Sequence, residues 1–430
     1  MAAVFGLQCI RCGAQYSADR FAEDCPECRP VAPSNLVVVY RDTLRGPRPK
    51  PTGDAGGSLW RYGDLLPIER GEGVSLGEGG SPLHRLDRAG SSIGVANLFG
   101  KDETRNPTWS FKDRLACMAV SSAKKMGAEV IVSSSSGNAG AAAAAYAAKA
   151  GLRCVVFTFK GAAGPMLTQM RAYGATVIAV ENKADRWTLM EYAVRNYGWF
   201  PTSPFFGPVA GSNPYGIEGY KTLAYEIAEQ LDWRVPDWCV LPVCYGDALL
   251  GMWRGFEDMM ALGWTDRMPR MVAAEVSGSL GAALADGGDA PPDMRINQQT
   301  VALSIGATRG TYQALDIVRR SGGSALTIGN DEMMRWQQTL SSGEGLYVEP
   351  ASAAAPAAVE QLARAGSIAA SETVVALLTA SGLKDPAATA LQQDDLILVP
   401  ANINEAIAVL KAADVFPRES LVDSSKAPTA

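Results

Sequence analysis

The chain predicts an α/β protein made of two lobes of mostly parallel sheet flanked by helices, with a small cysteine-bearing element in front. Three observations carry this. From about residue 95 to residue 400, short runs of Val, Ile and Leu alternate with longer stretches of helical period, which is the pattern of βα units. The runs are nearly continuous in apolar character, as strands buried on both faces are. Six of them, at 129–133, 153–157, 176–180, 238–243, 271–276 and 374–378, are more than one small sheet holds comfortably, so two lobes with a cleft between them follow. Helices are predicted at 114–126, at 139–150 with a stop at Gly151, and at 216–231, each with apolar residues three and four apart.

Composition narrows the function. The 430 residues are 47% hydrophobic and 20% charged, which describes a globular chain rather than a disordered one. With 39 basic against 45 acidic residues and a net charge of −6 there is no electrostatic footprint for nucleic acid. No apolar run approaches the roughly 20 residues that span a bilayer. Cys9, Arg11 and Cys12 interrupt the stretch where a secretory signal needs apolar residues, so a cytoplasmic chain is expected. The sole histidine, His84, excludes mechanisms built on a histidine pair; it is expected to pack or face solvent. Cys117, Cys154, Cys239 and Cys244 lie in apolar segments, as reduced buried thiols do.

Cys9, Cys12, Cys25 and Cys28 form two Cys-x-x-Cys pairs twelve residues apart, the spacing of a tetrahedral four-cysteine zinc site of structural role. Glycine- and proline-rich stretches at 46–57 and 77–82 read as linkers. Four further stretches can carry chemistry. In Asn106-Pro107-Thr108-Trp109-Ser110-Phe111-Lys112-Asp113-Arg114 the Asn-Pro pair makes a turn, Ser110 is placed to cap the next helix, and Lys112 falls in its first turn. There the positive end of the helix dipole disfavours the ammonium form, leaving an amine readier to act as a nucleophile; most lysines at such a place are simply solvated. Ser133-Ser134-Ser135-Ser136-Gly137-Asn138 joins a strand to a helix N-terminus and suits a carboxylate or a phosphate, although an ordinary serine-rich loop has the same look. Val243-Cys244-Tyr245-Gly246-Asp247-Ala248 is a weaker second cradle of the same kind, and Thr379 ends a strand with a hydroxyl that can meet a ring nitrogen.

In this order the four stretches resemble the fold-type II pyridoxal-phosphate enzymes (the tryptophan synthase β-like fold), and among them the threonine synthases. The likeness extends from Gly77-Glu78-Gly79-Gly80-Ser81-Pro82 through Asn213-Pro214-Tyr215-Gly216-Ile217-Glu218-Gly219 and Glu349-Pro350-Ala351-Ser352 to Gly382-Leu383-Lys384-Asp385, and the N-terminal cysteine pairs look like those of some threonine synthases. The resemblance implies a lyase acting on a small amino acid with pyridoxal 5'-phosphate as cofactor, in a homodimer. Lys112 would hold the cofactor as a Schiff base and later move protons, with Phe111 packed on the ring. Asn138 would bond the phenolic oxygen, Thr379 the pyridine nitrogen, and Val243, Cys244, Tyr245, Gly246, Asp247 and Ala248 the phosphate. Ser134, Ser135, Ser136 and Gly137 would receive the substrate carboxylate. The implied division is 1–34 for the cysteine element, 35–110 plus 236–417 for the cofactor lobe, 111–235 for the smaller lobe, and a flexible tail at 418–430.

The chain departs from the threonine synthase pattern where the phosphate of O-phosphohomoserine would bind. Ala139 replaces a hydroxyl and Gly216 an arginine, while Tyr245 and Asp247 occupy places usually held by Asn and Gly. Three readings follow: a threonine synthase type of enzyme with Arg309 or Arg105 as substitute cation, a β-elimination or β-replacement enzyme on Ser, Thr or another β-substituted amino acid, and a non-catalytic homologue.

Overall fold

A computed structural model of the chain describes residues 4–18, 24–41, 48–49, 57–162, 164–295, 299–391, 393 and 395–413. Residues 1–388 form one compact unit and 389–430 another. The second holds a helix, Ile403–Ala412, whose N-cap Asn402 side chain accepts from the Asn404 and Glu405 amides. The expected tail at 418–430 lies outside the described residues.

The first unit contains three sheets. β1 (Val4–Cys9), β2 (Gln15–Tyr16) and β3 (Leu36–Tyr40) form an antiparallel sheet in the order β2-β1-β3. Its strands and the cysteine pairs share a small core, Leu7, Cys9, Cys25, Cys28, Leu36 and Val38, closed by Tyr215 from outside the element. β4 (Leu83–Arg85) and β5 (Asn97–Asp102) open the second sheet. The chain then leaves to build the third from β6 (Val130–Ser134), β7 (Arg153–Phe159), β8 (Thr176–Val180) and β9 (Phe200–Pro201), and returns with β10 (Trp238–Pro242), β11 (Arg270–Glu275), β12 (Ser324–Thr327) and β13 (Thr373–Leu378). The orders are β12-β11-β10-β13-β5-β4, parallel except for β4, and β8-β7-β6-β9, parallel throughout. Ligands of such open sheets bind outside the carboxyl ends of the strands.

β10 is buried at every residue, as its unbroken apolar run requires. β8 is not: as the last strand of its sheet it leaves three of five residues exposed, because an edge strand has one neighbour and incomplete cover. The alanine tract forms the helix Asn138–Ala150, whose Ala141 to Ala147 are all buried; methyl side chains let neighbours approach closely. It ends at Gly151, in the left-handed region at φ 72°. The expected helix over 216–231 is two, Pro214–Glu218 and Lys221–Gln230. At the break, a Cβ on Gly219 would lie 2.1 Å from the carbonyl oxygen of Arg114, so main chain from two helices touches there and no larger residue fits.

Candidate active site

The loop before the helix Lys112–Lys125 is folded back on that helix. Trp109 N–H donates to the Asn106 carbonyl at 2.8 Å, making the expected turn, and Thr108 donates to Asp113 through its amide at 2.8 Å and its hydroxyl at 2.7 Å. Burial pushes the Asp113 carboxyl up to about 7 against these two bonds. Lys112 is the first residue of the helix. Ser110 does not cap it: Phe111 holds the cap position, and the buried Ser110 hydroxyl has no partner among the described residues. Asp113 in the first turn instead accepts from Thr108, and the Ser110 backbone bridges to Ala380, just beyond β13. The Lys112 Nζ lies 4.7 Å from the Phe111 ring centroid and 5.7 Å from that of Tyr220, and the two rings stack at 5.3 Å.

The end of β13 ties this amine to Asn138. Phe111 N–H donates to the Thr379 carbonyl at 2.8 Å, and the Thr379 hydroxyl meets that of Ser352 at 2.7 Å. One residue on, the Ala380 carbonyl accepts from Glu349 N–H at 3.0 Å. The Glu349 carboxylate accepts from Asn138 Nδ2 at 3.0 Å and from the Ser304 hydroxyl at 3.1 Å; burial pushes this carboxyl up while the two bonds pull it down. Asn138 Oδ1 is buried and unpartnered among the described residues.

In the serine stretch, three amides are already engaged: Ser134 with the Ser203 hydroxyl at 2.8 Å, Ser135 with the Phe157 carbonyl at 3.1 Å, and Gly137 with the Ser135 hydroxyl at 3.1 Å. The candidate donors left are those of Ser136 and of the first turn of helix Asn138–Ala150, whose amides have no partner within the helix.

The turn after β10 begins with Val243 N–H on the Ala274 carbonyl at 2.8 Å. Cys244 is half-buried and feels the Lys112 charge, which pulls its thiol down; burial outweighs this and pushes the thiol up to about 11. Gly246 has φ 75°, and a Cβ there would come within 2.6 Å of the Ala314 methyl, so glycine is required twice over. Asp247 starts the helix Asp247–Ala261, and Ala248 is buried in its first turn. The Asp247 carboxylate is turned away from the outward face of the turn: it accepts from Ser212 N–H at 2.9 Å, the Ser212 hydroxyl at 2.6 Å and Gln313 Nε2 at 2.8 Å.

Of the substitutions at the expected phosphate site, Gly216 has a structural cause. A Cβ on Gly216 would lie 2.9 Å from Leu115 Cγ and 3.2 Å from the Leu115 carbonyl, so the helix Lys112–Lys125 closes that position to any side chain. Arg105 is 70% exposed beside Asp102, and the Arg309 backbone bridges to Asp293. The cation that sequence reasoning missed is Arg186, on the helix Asp185–Tyr197 that flanks the third sheet. It is half-buried, donates from Nε to the Lys183 carbonyl at 3.0 Å and lies 5.8 Å from the Phe159 ring centroid; burial pulls its proton affinity down while Tyr245 of the turn after β10 pulls it up, and it has no carboxylate partner among the described residues. No local motif marks it as a candidate. His84 sits on β4 at 3.4 Å from Asp102.

The four N-terminal thiols converge. Their Sγ atoms all lie within 4.8 Å of one another, with Cys9 to Cys28 at 3.7 Å and Cys12 to Cys25 at 3.6 Å. Ligands at a Zn–S distance of about 2.3 Å on a tetrahedron stand about 3.8 Å apart, so the donor set fits a zinc ion. Cys117, Cys154 and Cys239 are buried free thiols, as expected. Among the described residues no helix is long and apolar enough to cross a membrane.

Comparison with known proteins agrees with this geometry. The profile described as "Pyridoxal-phosphate dependent enzyme" matches residues 74–380. Threonine synthase of Methanosarcina acetivorans is 35% identical over 407 residues, 93% of this chain and 97% of that one. Threonine synthase of Methanocaldococcus jannaschii is 32% identical over 409 residues, 94% and 99% of the two chains. The crystal structure of serine racemase from Dictyostelium discoideum superposes with a TM-score of 0.58 at 21% identity, covering 70% of this chain and 92% of that one, a likeness of fold. The chain belongs to the pyridoxal-phosphate-dependent enzymes of fold-type II, as a lyase related to the threonine synthases.

Proposed function

We propose that the chain eliminates or replaces a leaving group on a small amino acid, and that O-phosphohomoserine, giving threonine and phosphate with water, is the first substrate to test. The supporting observation is the setting of Lys112: its amine stands at a helix head against the Phe111 ring, bound through Phe111 N–H to the end of β13 and beside the turn that carries Cys244. The residues present fit pyridoxal 5'-phosphate. A buried, unpartnered amide oxygen on Asn138 stands in a polar site, and the one acid in the expected phosphate cradle is turned out of it. When bound, the cofactor supplies an electron sink for a proton lost from the α carbon.

Lys112 Nζ would anchor the cofactor and would move protons at the α and β carbons of the substrate. Phe111 would pack on the ring, and Asn138 Nδ2, one hydrogen of which goes to Glu349, would donate the other to the phenolic oxygen. Thr379 offers its hydroxyl to the pyridine nitrogen. A neutral hydroxyl would not keep that nitrogen protonated as a carboxylate would, so the group held there would supply a milder electron sink, suited to expelling a leaving group. Val243 to Ala248 cradle the phosphate. Of the stretch Ser134, Ser135, Ser136 and Gly137, the Ser136 amide receives the substrate carboxylate together with the head of the Asn138 helix. Arg186 receives an anionic leaving group in place of the residue missing at Gly216. Cys9, Cys12, Cys25 and Cys28 hold a structural zinc ion, and the enzyme works as a homodimer in the cytoplasm.

The closed Gly216 position favours a second reading, in which the leaving group is smaller and uncharged, on Ser, Thr or another β-substituted amino acid. Product analysis separates the two: threonine and phosphate from O-phosphohomoserine support the first, and turnover confined to serine, threonine or O-acetylserine replaces it with the second. A chain with no visible band, and no lysine labelled by borohydride at position 112, is the non-catalytic homologue and ends both.

A further inference from the structure

The cysteine cluster and the expected phosphate turn lie in different sheets, yet one buried side-chain chain joins them. The Asn35 carbonyl accepts from Ile10 N–H at 3.2 Å, between Cys9 and Cys12, and Cys25 N–H donates to the neighbouring Ser34 carbonyl at 3.0 Å. The Asn35 amide donates to the Ser212 carbonyl and to Gln313 Oε1, both at 3.1 Å. Gln313 Nε2 donates in turn to the Tyr245 carbonyl at 2.5 Å and to Asp247 at 2.8 Å, and the Thr311 hydroxyl donates to the same Tyr245 carbonyl at 2.7 Å. Asn35, Gln313, Asp247 and Thr311 are all at most 5% exposed. Packing leaves the path no slack. A Cβ on Gly211 would lie 2.3 Å from Asn35 Nδ2 and 2.6 Å from Gln313 Nε2, and one on Gly246 would strike Ala314. A second contact runs parallel: Arg11, whose amide donates to Cys9 Sγ at 3.4 Å, sets its guanidinium 5.8 Å from the ring of Tyr312, next to Gln313.

We infer that Gln313 and Asn35 are positioning residues which couple occupancy of the four-cysteine site to the hold on the cofactor phosphate. The inference rests on the proposed roles of the cysteines and of the turn at 243–248. A metal ion fixes the two cysteine loops and with them the Asn35 and Ser34 carbonyls. Asn35 then presents its amide to Gln313, and Gln313 sets the Tyr245 carbonyl and the Asp247 carboxylate so that both acceptors point inward and the amides of the turn are left for the phosphate. Without the metal, the loops lose their anchor, and acceptors that were satisfied in a water-poor interior compete for the turn. Coupling of this sort is reciprocal: whatever factor the metal adds to cofactor affinity, the cofactor adds to metal affinity.

The test uses the full-length protein loaded with zinc and pyridoxal phosphate. Metal analysis and borohydride labelling of Lys112 come first; a chain lacking either group overturns the underlying reading and this inference with it. In the loaded protein, cofactor affinity is measured by absorbance titration before and after stripping with a chelator, and zinc affinity by competition with a chromogenic chelator, with and without cofactor. Site-to-site couplings run from about 5-fold to about 150-fold, and roughly tenfold is expected here, equal in both directions. Gln313→Met, which keeps length but donates no hydrogen bond, and Asn35→Ala are expected to weaken cofactor binding without loss of zinc. They should shift the phosphorus resonance of the bound cofactor and remove the further effect of stripping. Two results overturn the inference alone: stripped wild type that binds the cofactor as tightly as before, or folded Gln313→Met protein that retains the full effect of zinc.

Discussion

Arg114, two residues beyond Lys112, is fully buried, and replacing it with methionine tests how the Lys112 helix is held. Its guanidinium donates to Glu103 at 2.7 and 2.8 Å, to Glu226 at 2.7 and 2.8 Å, to Thr222 at 2.8 Å and to Ser81 at 3.2 Å. In Arg114→Met, Glu226 keeps Lys101 at 2.7 Å, but Glu103 keeps only the uncharged Asn106 amide and Ser81 hydroxyl. Removing one partner of a buried pair costs about 3–5 kcal/mol, because the other charge is left uncompensated. At a urea slope of about 3 kcal/mol per molar the midpoint falls by roughly 1 to 1.7 M. Burial alone would raise both carboxyls; the arginine overrides it and holds both below their usual range. In the parent, the stability they contribute is present above the ordinary carboxylate range and is lost only as pH falls through their depressed values. In the variant Glu103 is raised instead, so stability falls as pH rises, and the gap between the proteins widens upward from about pH 4. Urea titrations by circular dichroism at pH 5 and pH 8 read this directly. A midpoint within about 0.3 M of the parent at pH 8, or a larger loss at pH 5 than at pH 8, would refute the reasoning.

Asp113, held at about 7 in the fold against its ordinary value of 3.8, binds its proton more tightly when folded; its contribution to stability is full below about pH 4 and disappears as pH rises through about 7. Asp113→Asn is therefore expected to flatten the melting temperature between pH 4 and pH 7, and an unchanged slope would count against a buried proton there. Asn138→Ala removes a donor from Glu349 and the proposed contact to the phenolic oxygen. It is expected to keep the cofactor while slowing turnover about tenfold or more, and stopped-flow rates equal to the parent's would exclude that contact. Arg186→Gln is expected to raise KM for O-phosphohomoserine about tenfold and leave that for O-acetylserine nearly unchanged, since the bond it loses is to an anion. Equal losses on both substrates would remove Arg186 from the leaving-group site.

Much of the scaffold is legible along the chain. The strand expected at 176–180 has those bounds, the alanine tract stops at Gly151, and Lys112 does fall in a first helical turn. Each depends on neighbours a few residues away: apolar runs make strands, alanines make a close-packed helix, and glycine accepts the left-handed cap. The errors share the opposite feature. Ser110 looks like a cap until Thr108 is seen bonded to Asp113, and 176–180 looks interior until its place at the end of a sheet is known. Asp247 looks like an acid beside a phosphate until Ser212 and Gln313, 35 and 66 residues away, are found holding it.

Sequence alone determined the α/β class, the lysine at a helix head, the two hydroxyl-bearing strand ends and the pairing of four cysteines, because short-range periodicity and fixed spacings survive in one dimension. Tertiary structure decided which way Asp247 points, that Gly216 has no room for a side chain, and that Glu349 meets Asn138 and Gln313 meets the turn at 243–248. Those outcomes depend on hydrogen bonds and close contacts between segments far apart in the chain, and nothing local encodes which distant group arrives first.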